Sequence, residues 1–219
     1  NKLWFSDMHG HKVHNLDADG NLSTLAEIPE QPSGLGWLPD GSLIIVSMLD
    51  RKLMKLKDGE LSIHTDMSNL TPYQCNDMVI AKDGTAYVGN FGTDSVESKI
   101  HKTCLISVTQ EGETKICADG LLFPNGTVIS PDGKELIVGE TFGGNLTSFQ
   151  INESGELSHR TIWARVMPLH FKIITSIIRF LNIPLKESNS TPFPVPDGIC
   201  LDSDNGIWVA SPTTAEVIR

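Results

Sequence analysis

Residues 125–140 read Asn-Gly-Thr-Val-Ile-Ser-Pro-Asp-Gly-Lys-Glu-Leu-Ile-Val-Gly-Glu, and this stretch decides the fold. A short apolar run leads into Pro131-Asp132-Gly133, a sequence that favours a tight turn. The residues after the turn, Leu136-Ile137-Val138-Gly139, are typical of a buried β-strand. The stretch therefore predicts a β-hairpin whose first strand begins at a polar residue, Asn125.

The same plan occurs three more times along the chain. Each further segment begins at a polar residue and reaches a turn glycine: Ser33 and Gly41, Asn76 and Gly84, Asp197 and Gly206. The polar residue lies eight residues before the glycine, except in the Asp197 segment, where it lies nine before and the turn is counted one residue longer. Repeats of about 40–50 residues are typical of β-propeller blades. We therefore predict an all-β propeller with about five blades represented, forming a single domain over residues 1–219.

Further strands and turns support this prediction. Further β-rich strands are predicted at residues 12–16, 52–56, 104–108 and 145–149, and they alternate polar and apolar residues, as half-buried strands do. Turn pairs suited to positive φ follow at Asp19-Gly20, Asp58-Gly59, Glu111-Gly112 and Ser154-Gly155. No long amphipathic helix occurs before residue 165, and a parallel α/β sheet would need one in every crossover.

One repeat is longer than the others and predicts an insertion at 165–194. Within it, residues 171–181 place apolar side chains at 174, 177, 178 and 181, opposite Lys172 and Arg179. This pattern predicts an amphipathic helix that is too short and too charged to span a membrane. It could serve as a lid or as a surface contact with lipid, or it could simply pack against the outer rim of the blades.

Composition excludes several functional classes. The 219 residues carry a formal net charge of −10, with 39% hydrophobic and 20% charged residues, which indicates a globular protein and argues against nucleic-acid binding. The sequence contains no candidate transmembrane segment. Its four cysteines lack metal-binding or disulfide-framework spacing, so we expect reduced thiols and a cytoplasmic location.

The repeated polar position predicts a metal site. Equivalent positions in a rotationally repeated fold point to one axis, and Asn76, Asn125 and Asp197 carry amide or carboxylate oxygens. Such oxygens are ligands for a hard divalent cation. Ser33 occupies the same position, but we expect it to bind substrate or water. An alternative for each residue is a purely structural role in a turn.

Several motifs together resemble the SMP-30/gluconolactonase/LRE-like family. They are Leu-Gly-Trp-Leu-Pro-Asp-Gly at 35–41, Cys-Asn-Asp-Met-Val at 75–79, Ala-Tyr-Val-Gly-Asn-Phe-Gly at 86–92, Phe-Pro-Asn-Gly at 123–126 and Pro-Asp-Gly-Ile-Cys-Leu-Asp at 196–202. The resemblance implies a six-bladed propeller that binds one divalent cation, often calcium, and hydrolyses sugar lactones. It also implies that Asn76, Asn125 and Asp197 are metal ligands.

The resemblance also sets the expected cofactor and the expected extent of the chain. Calcium is the favoured cation, with zinc, manganese and magnesium as alternatives. The family's remaining ligand, a glutamate of the first blade, would precede Asn1. The chain begins without methionine in the middle of a repeat and ends within a strand pair, so we expect it to be a fragment that lacks both ends.

These residues predict a metal-dependent lactonase. Asp197 is the only carboxylate among the repeated positions, so it is the candidate general base as well as a metal ligand. Ser33, Gln74, Asn90 and Asp94 are candidate contacts for a small-molecule lactone. Gln74 stands where many sugar lactonases carry an arginine, so specificity for sugar acids does not follow. The alternatives are a phosphotriesterase or non-sugar lactonase, and a non-enzymatic propeller stabilised by calcium.

Overall fold

The computed structural model describes residues 2–93, 99–168 and 193–219. Within those ranges the secondary structure is all β, with strands and turns but no helix. The chain divides into two compact units, residues 1–120 and 121–219. The prediction of one domain over the whole chain stays a prediction.

The first unit contains three antiparallel sheets, each made of consecutive strands. The first sheet has three strands: β1 (Lys2–Asp7), β2 (Lys12–Asp17) and β3 (Leu22–Glu27). The second has four: β4 (Pro32–Trp37), β5 (Leu43–Ser47), β6 (Lys52–Lys57) and β7 (Glu60–Asp66). The third also has four: β8 (Cys75–Ile80), β9 (Ala86–Asn90), β10 (Thr103–Val108) and β11 (Thr114–Leu121).

The second unit contains two sheets of the same type. Four strands form the fourth sheet: β12 (Pro124–Ile129), β13 (Glu135–Glu140), β14 (Asn145–Ile151) and β15 (Leu157–Arg165). Three form the fifth: β16 (Ile199–Leu201), β17 (Ile207–Ser211) and β18 (Glu216–Ile218). Successive antiparallel meanders, three of them here with four strands and two with three, are typical of the blades of a β-propeller, so the predicted fold class is confirmed.

Apolar side chains between neighbouring sheets form the core. In the first unit, Val46 and Leu53 of the second sheet share a buried cluster with Val88 and Ile106 of the third. In the second unit, Ile137 and Leu146 pack with Ile207 and Val209 of the fifth sheet. Each sheet buries apolar residues on the face that meets its neighbour, which is the reason for the alternation seen in the sequence.

The predicted turns form as expected with one correction. Gly41, Gly84 and Gly133 have φ of 81°, 90° and 76°. In the last hairpin the left-handed residue is Asn205, with φ of 61°, and not Gly206. Asparagine tolerates this conformation better than most residues. Counted from Asn205, Asp197 lies eight residues upstream. The spacing between the polar residue and the left-handed residue of the turn is therefore eight in all four hairpins.

The predicted insertion at 165–194 is only partly described. Arg165 is the last residue of β15 and pairs with Asn145, so the blade extends into the range assigned to the insertion. Met167, Phe193 and Val195 form a small buried apolar cluster. The amphipathic helix predicted at 171–181, and with it the predicted surface contact, lies outside the described residues.

Candidate metal and catalytic site

The repeated polar position coincides with a β-bulge in three sheets. In the second sheet, Pro32 pairs with Ser47 and Leu35 pairs with Ile45. Between these two pairs the first strand advances by three residues and its partner by two, so the first strand contains one extra residue. The same single extra residue occurs between Cys75 and Met78 and between Pro124 and Thr127. Ser33, Asn76 and Asn125 are each the first residue within a bulge. Bulges redirect side chains and are common beside active sites.

Asp197 occupies the corresponding place in the fifth sheet. Ile199 pairs with Val209 as Thr127 pairs with Val138, so Asp197 and Asn125 both lie two residues before an equivalent pair. The backbone N–H of Asp197 donates to Ala210 O at 3.0 Å, which ties this residue to the second strand of the hairpin. The register deduced from the sequence is therefore the register of the strands.

Asn125 and Asp197 are in direct contact in the second unit. Asn125 Nδ2 donates to Asp197 Oδ1 at 2.6 Å and to Thr141 Oγ1 at 3.1 Å. The backbone N–H of Gly126 donates to Asp197 O at 3.1 Å. Asn125 is 3% exposed, whereas Asp197 is partly exposed. A carboxylate only accepts hydrogen bonds, so Nδ2 and not Oδ1 of Asn125 must face Asp197.

The first unit contains a second contact between repeated positions. Ser33 Oγ donates to Asn76 Oδ1 at 3.0 Å, and Ser6 Oγ donates to the backbone oxygen of Ser33 at 2.5 Å. Asn76 is 7% exposed. An amide oxygen has two lone pairs, so the hydrogen bond from Ser33 is compatible with a second interaction at Oδ1. Ser33 thus contacts the predicted ligand Asn76 directly.

The available side chains fit a hard cation better than a soft one. In the described part of the chain, no three His, Cys, Asp or Glu side chains gather closely enough to hold a metal. Cys75 adjoins Asn76 but is fully buried, and burial raises the pKa of its thiol to about 12. The side chain of Cys75 packs in the same buried apolar cluster as Val46 and Val88. Amide and carboxylate oxygens remain as donors, and these suit calcium or magnesium.

The predicted substrate contacts lie in different environments. Gln74 is partly exposed, and its backbone oxygen accepts from Phe91 N at 3.0 Å. Asn90 is fully buried; its Nδ2 donates to Cys104 O at 2.8 Å, and its Oδ1 accepts from Thr103 Oγ1. This bonding gives Asn90 a place in the packing of its own sheet, and its contact with substrate stays a prediction. Asp94 lies outside the described residues.

Glu140 is a buried residue at the end of β13. Its carboxylate is 5% exposed and forms an ion pair with Arg160 at 3.1 Å. It accepts the backbone N–H of Leu122 at 2.8 Å and the hydroxyl of Thr147. Leu122 lies three residues before Asn125, so Glu140 fixes the chain that leads into the bulge. The neighbouring Thr141 was not predicted as a site residue, although its position directly after the second strand could have drawn attention to it.

This fold and site define an all-β propeller with hydroxyl and amide side chains at repeated bulges and a carboxylate at the corresponding place of the fifth sheet. A family model described as the SMP-30/gluconolactonase/LRE-like region matches residues 1–219. The chain belongs to the SMP-30/gluconolactonase/LRE-like family. No curated protein matches it by sequence.

Solved structures show the same fold at low sequence identity. A gluconolactonase from Xanthomonas campestris has a TM-score of 0.71 and 22% identity over 96% of this chain and 66% of its own. Regucalcin from Agrobacterium tumefaciens, a calcium-binding protein, has a TM-score of 0.70 and 18% identity over 96% and 63%. A luciferin-regenerating enzyme has a TM-score of 0.70 and 15% identity over 96% and 65%. The chain thus spans slightly less than two thirds of the length of these structures.

Membrane insertion through a helix receives no support from the described residues. None of them belongs to a helix with the length and apolar character that crossing a bilayer requires.

Proposed function

We propose that the protein is a metal-dependent hydrolase that opens the ring of a small-molecule lactone. The observation that carries this proposal is the contact between Asn125 and Asp197 at 2.6 Å, because it joins an amide and a carboxylate at equivalent positions of two blades. The gluconolactonase and the calcium-binding regucalcin among the structural neighbours support the reaction class and the cation.

Asn125 and Asp197 are the proposed core of the cation site. Asn125 Oδ1 and Asp197 Oδ2 are the oxygens that would hold a divalent ion, with calcium preferred and zinc, manganese or magnesium as alternatives. Asn76 remains a predicted ligand because it occupies the same bulge position in its own sheet. When bound, the cation would polarise the lactone carbonyl and lower the pKa of water.

Asp197 has the properties of a general base. Its Oδ1 is held by Asn125 Nδ2, so the orientation of the carboxylate is fixed, and the residue is partly exposed. A fixed carboxylate that solvent can reach can accept a proton from water as that water attacks the carbonyl carbon. Ser33 and Gln74 are the proposed substrate contacts. Gln74 offers hydrogen bonds without charge, so lactones other than those of sugar acids belong among the candidate substrates.

Replacing Asp197 tests the proposed chemistry. Asp197→Asn keeps the size of the side chain but removes the base, so we expect hydrolysis of responsive lactones to fall by about 100-fold or more. Asp204→Asn, on the same connection to β17, is the matched control, because Asp204 is 83% exposed and only weakly paired with Arg219. Wild-type rates in a folded Asp197→Asn protein would contradict the mechanism.

A binding scaffold stabilised by calcium is the second candidate. It is favoured by the resemblance to regucalcin, which is a calcium-binding protein. This function predicts that calcium raises the melting temperature while no lactone or phosphotriester is hydrolysed.

The four cysteines are unpaired, which agrees with the proposed cytoplasmic location, since reducing compartments keep thiols free.

A further inference from the structure

Thr141 directly follows the second strand of the fourth sheet. The residues at the same position of the second and third sheets, Met48 and Phe91, form the same backbone hydrogen bond. The N–H groups of Met48, Phe91 and Thr141 donate to the carbonyl oxygen two residues before the bulge residue of their own sheet. These bonds measure 2.9, 3.0 and 3.0 Å, and they run to Gln31, Gln74 and Phe123. The backbone bond anchors the entry into each bulge and does not depend on the side chain.

The side chain at this position differs between sheets. Met48 belongs to the buried apolar cluster of the first unit, and Phe91 packs against that cluster. Thr141 is 9% exposed and carries a hydroxyl instead of an apolar group. The blade structure is therefore compatible with an apolar residue here, and the hydroxyl of Thr141 requires another explanation.

That hydroxyl connects both members of the proposed cation site. Thr141 Oγ1 donates at 2.8 Å to the backbone oxygen of Pro196, the residue directly before Asp197. The same oxygen accepts from Asn125 Nδ2 at 3.1 Å. A hydroxyl has one hydrogen to donate and lone pairs to accept, so both bonds form together.

The consequence is a fixed orientation of the Asn125 amide. Asp197 Oδ1 and Thr141 Oγ1 take up both hydrogens of Nδ2, which leaves Oδ1 on the other edge of the amide. Only this oxygen can act as a ligand for a hard cation. Without the hydroxyl, one hydrogen bond fewer holds the amide in place. The Pro196 carbonyl also loses its hydrogen bond to the fourth sheet, so only the bond from Gly126 N–H to Asp197 O ties this backbone to that sheet through the contacts described above.

We propose that Thr141 is a positioning residue that aligns Asn125 and Asp197 for cation binding. The proposal rests on the function proposed above and adds a residue that acts through the ligands without touching the ion. Groups that orient metal ligands commonly change metal affinity by about 10- to 100-fold when removed.

The test compares Thr141→Val with Thr141→Ser and with a matched control, Thr127→Val. Thr127 Oγ1 donates to the backbone oxygen of Asn125 at 2.8 Å and is also buried. Thr127→Val therefore removes a similar hydrogen bond but leaves the bonds of the Asn125 side-chain amide in place. Calcium affinity is measured by isothermal titration calorimetry, and the melting temperature is recorded without metal. We expect Thr141→Val to raise Kd by about 10- to 100-fold, while Thr141→Ser and Thr127→Val stay within about threefold of wild type.

Equal Kd values for Thr141→Val and Thr127→Val at similar melting temperatures would overturn the proposal. A second measurement follows the side-chain amide hydrogens of Asn125 by NMR in the metal-free protein, assigned by their loss in Asn125→Asp. Their exchange with solvent should be faster in Thr141→Val than in wild type or Thr141→Ser, and unchanged exchange would also overturn the proposal. If Thr141→Val does not fold, Thr141→Ala replaces it in both measurements.

The two measurements separate this inference from the function on which it rests. If wild type binds no calcium, zinc, manganese or magnesium, the proposed function fails. The amide exchange rates then still decide whether Thr141 orients Asn125.

Discussion

At the scale of single residues, Asn205 shows how the sequence encodes the register of the site. It takes the left-handed conformation that glycine takes in the other hairpins, with φ of 61°. Its N–H donates to Asp202 O at 3.1 Å, the same turn bond that Gly41 makes to Leu38 at 2.9 Å. Counting from glycine alone therefore made the turn of the Asp197 hairpin one residue too long, although Asp197 itself was placed correctly, because asparagine can replace glycine at positive φ.

Substitutions at Asn205 test this conformational role. Asn205→Ala should lower the free energy of unfolding by about 1 kcal/mol, because a Cβ without a polar side chain is disfavoured at positive φ. Asn205→Gly should be neutral or stabilising, since glycine adopts this conformation freely. Urea denaturation of both variants provides the measurement. Asn205 is exposed, so lost packing does not confuse the result, and equal stability of the two variants would contradict the assignment.

At the scale of strands, all but the outermost strand of most sheets could be predicted, but the outermost strands could not. Strand β5 is buried throughout and reads Leu-Ile-Ile-Val-Ser, an unmistakable apolar run. Strand β7 is largely exposed and reads Glu-Leu-Ser-Ile-His-Thr-Asp, in which apolar residues such as Ile63 remain 60% exposed. Outer strands bury little surface, so their sequences carry a weak pattern.

The bulges themselves could not be read from the sequence, although their position could. The repeated spacing located Asn76 and Asn125, but an extra residue in a strand leaves no compositional mark apart from small residues beside it. Gly34 and Gly126 are the second residues of two bulges, and their Cα atoms approach the backbone of the next inner strand. The contact between Asn125 and Asp197 thus depends on a glycine that the sequence presents only as part of a turn-like motif.

Gly126→Ala tests the close approach of the two inner strands in the second unit. A Cβ at Gly126 would lie 2.4 Å from Asp197 O and 2.5 Å from Ile199 N, and both are backbone atoms. We expect a loss of about 1–3 kcal/mol in the free energy of unfolding, as for other overpacked sites. Gly198→Ala is the control, because its Cβ would meet nothing within 4 Å. The control should remain within about 0.5 kcal/mol of wild type, and equal losses for both variants would refute the packing argument.

At the scale of the whole molecule, family membership establishes the fold while the reaction remains a proposal. The chain matches its family model over residues 1–219. The three solved structures named above share 15% to 22% sequence identity with it. Spacing and turn chemistry could predict the propeller, because every blade repeats them. The substrate could not be predicted, because specificity depends on single side chains, such as the contact proposed for Gln74, which can change without altering the fold.

The most direct test of the central claim is lactone hydrolysis by the chain after chelation and metal replacement. Proton release is followed on a panel of aldonolactones and simple γ- and δ-lactones, first with a chelator and then with calcium, zinc, manganese or magnesium added back. We predict turnover that disappears on chelation and returns with one cation, calcium first, because the proposed ligands Asn125 and Asp197 offer side-chain oxygens, which calcium prefers. Turnover that persists unchanged after complete chelation would contradict the account.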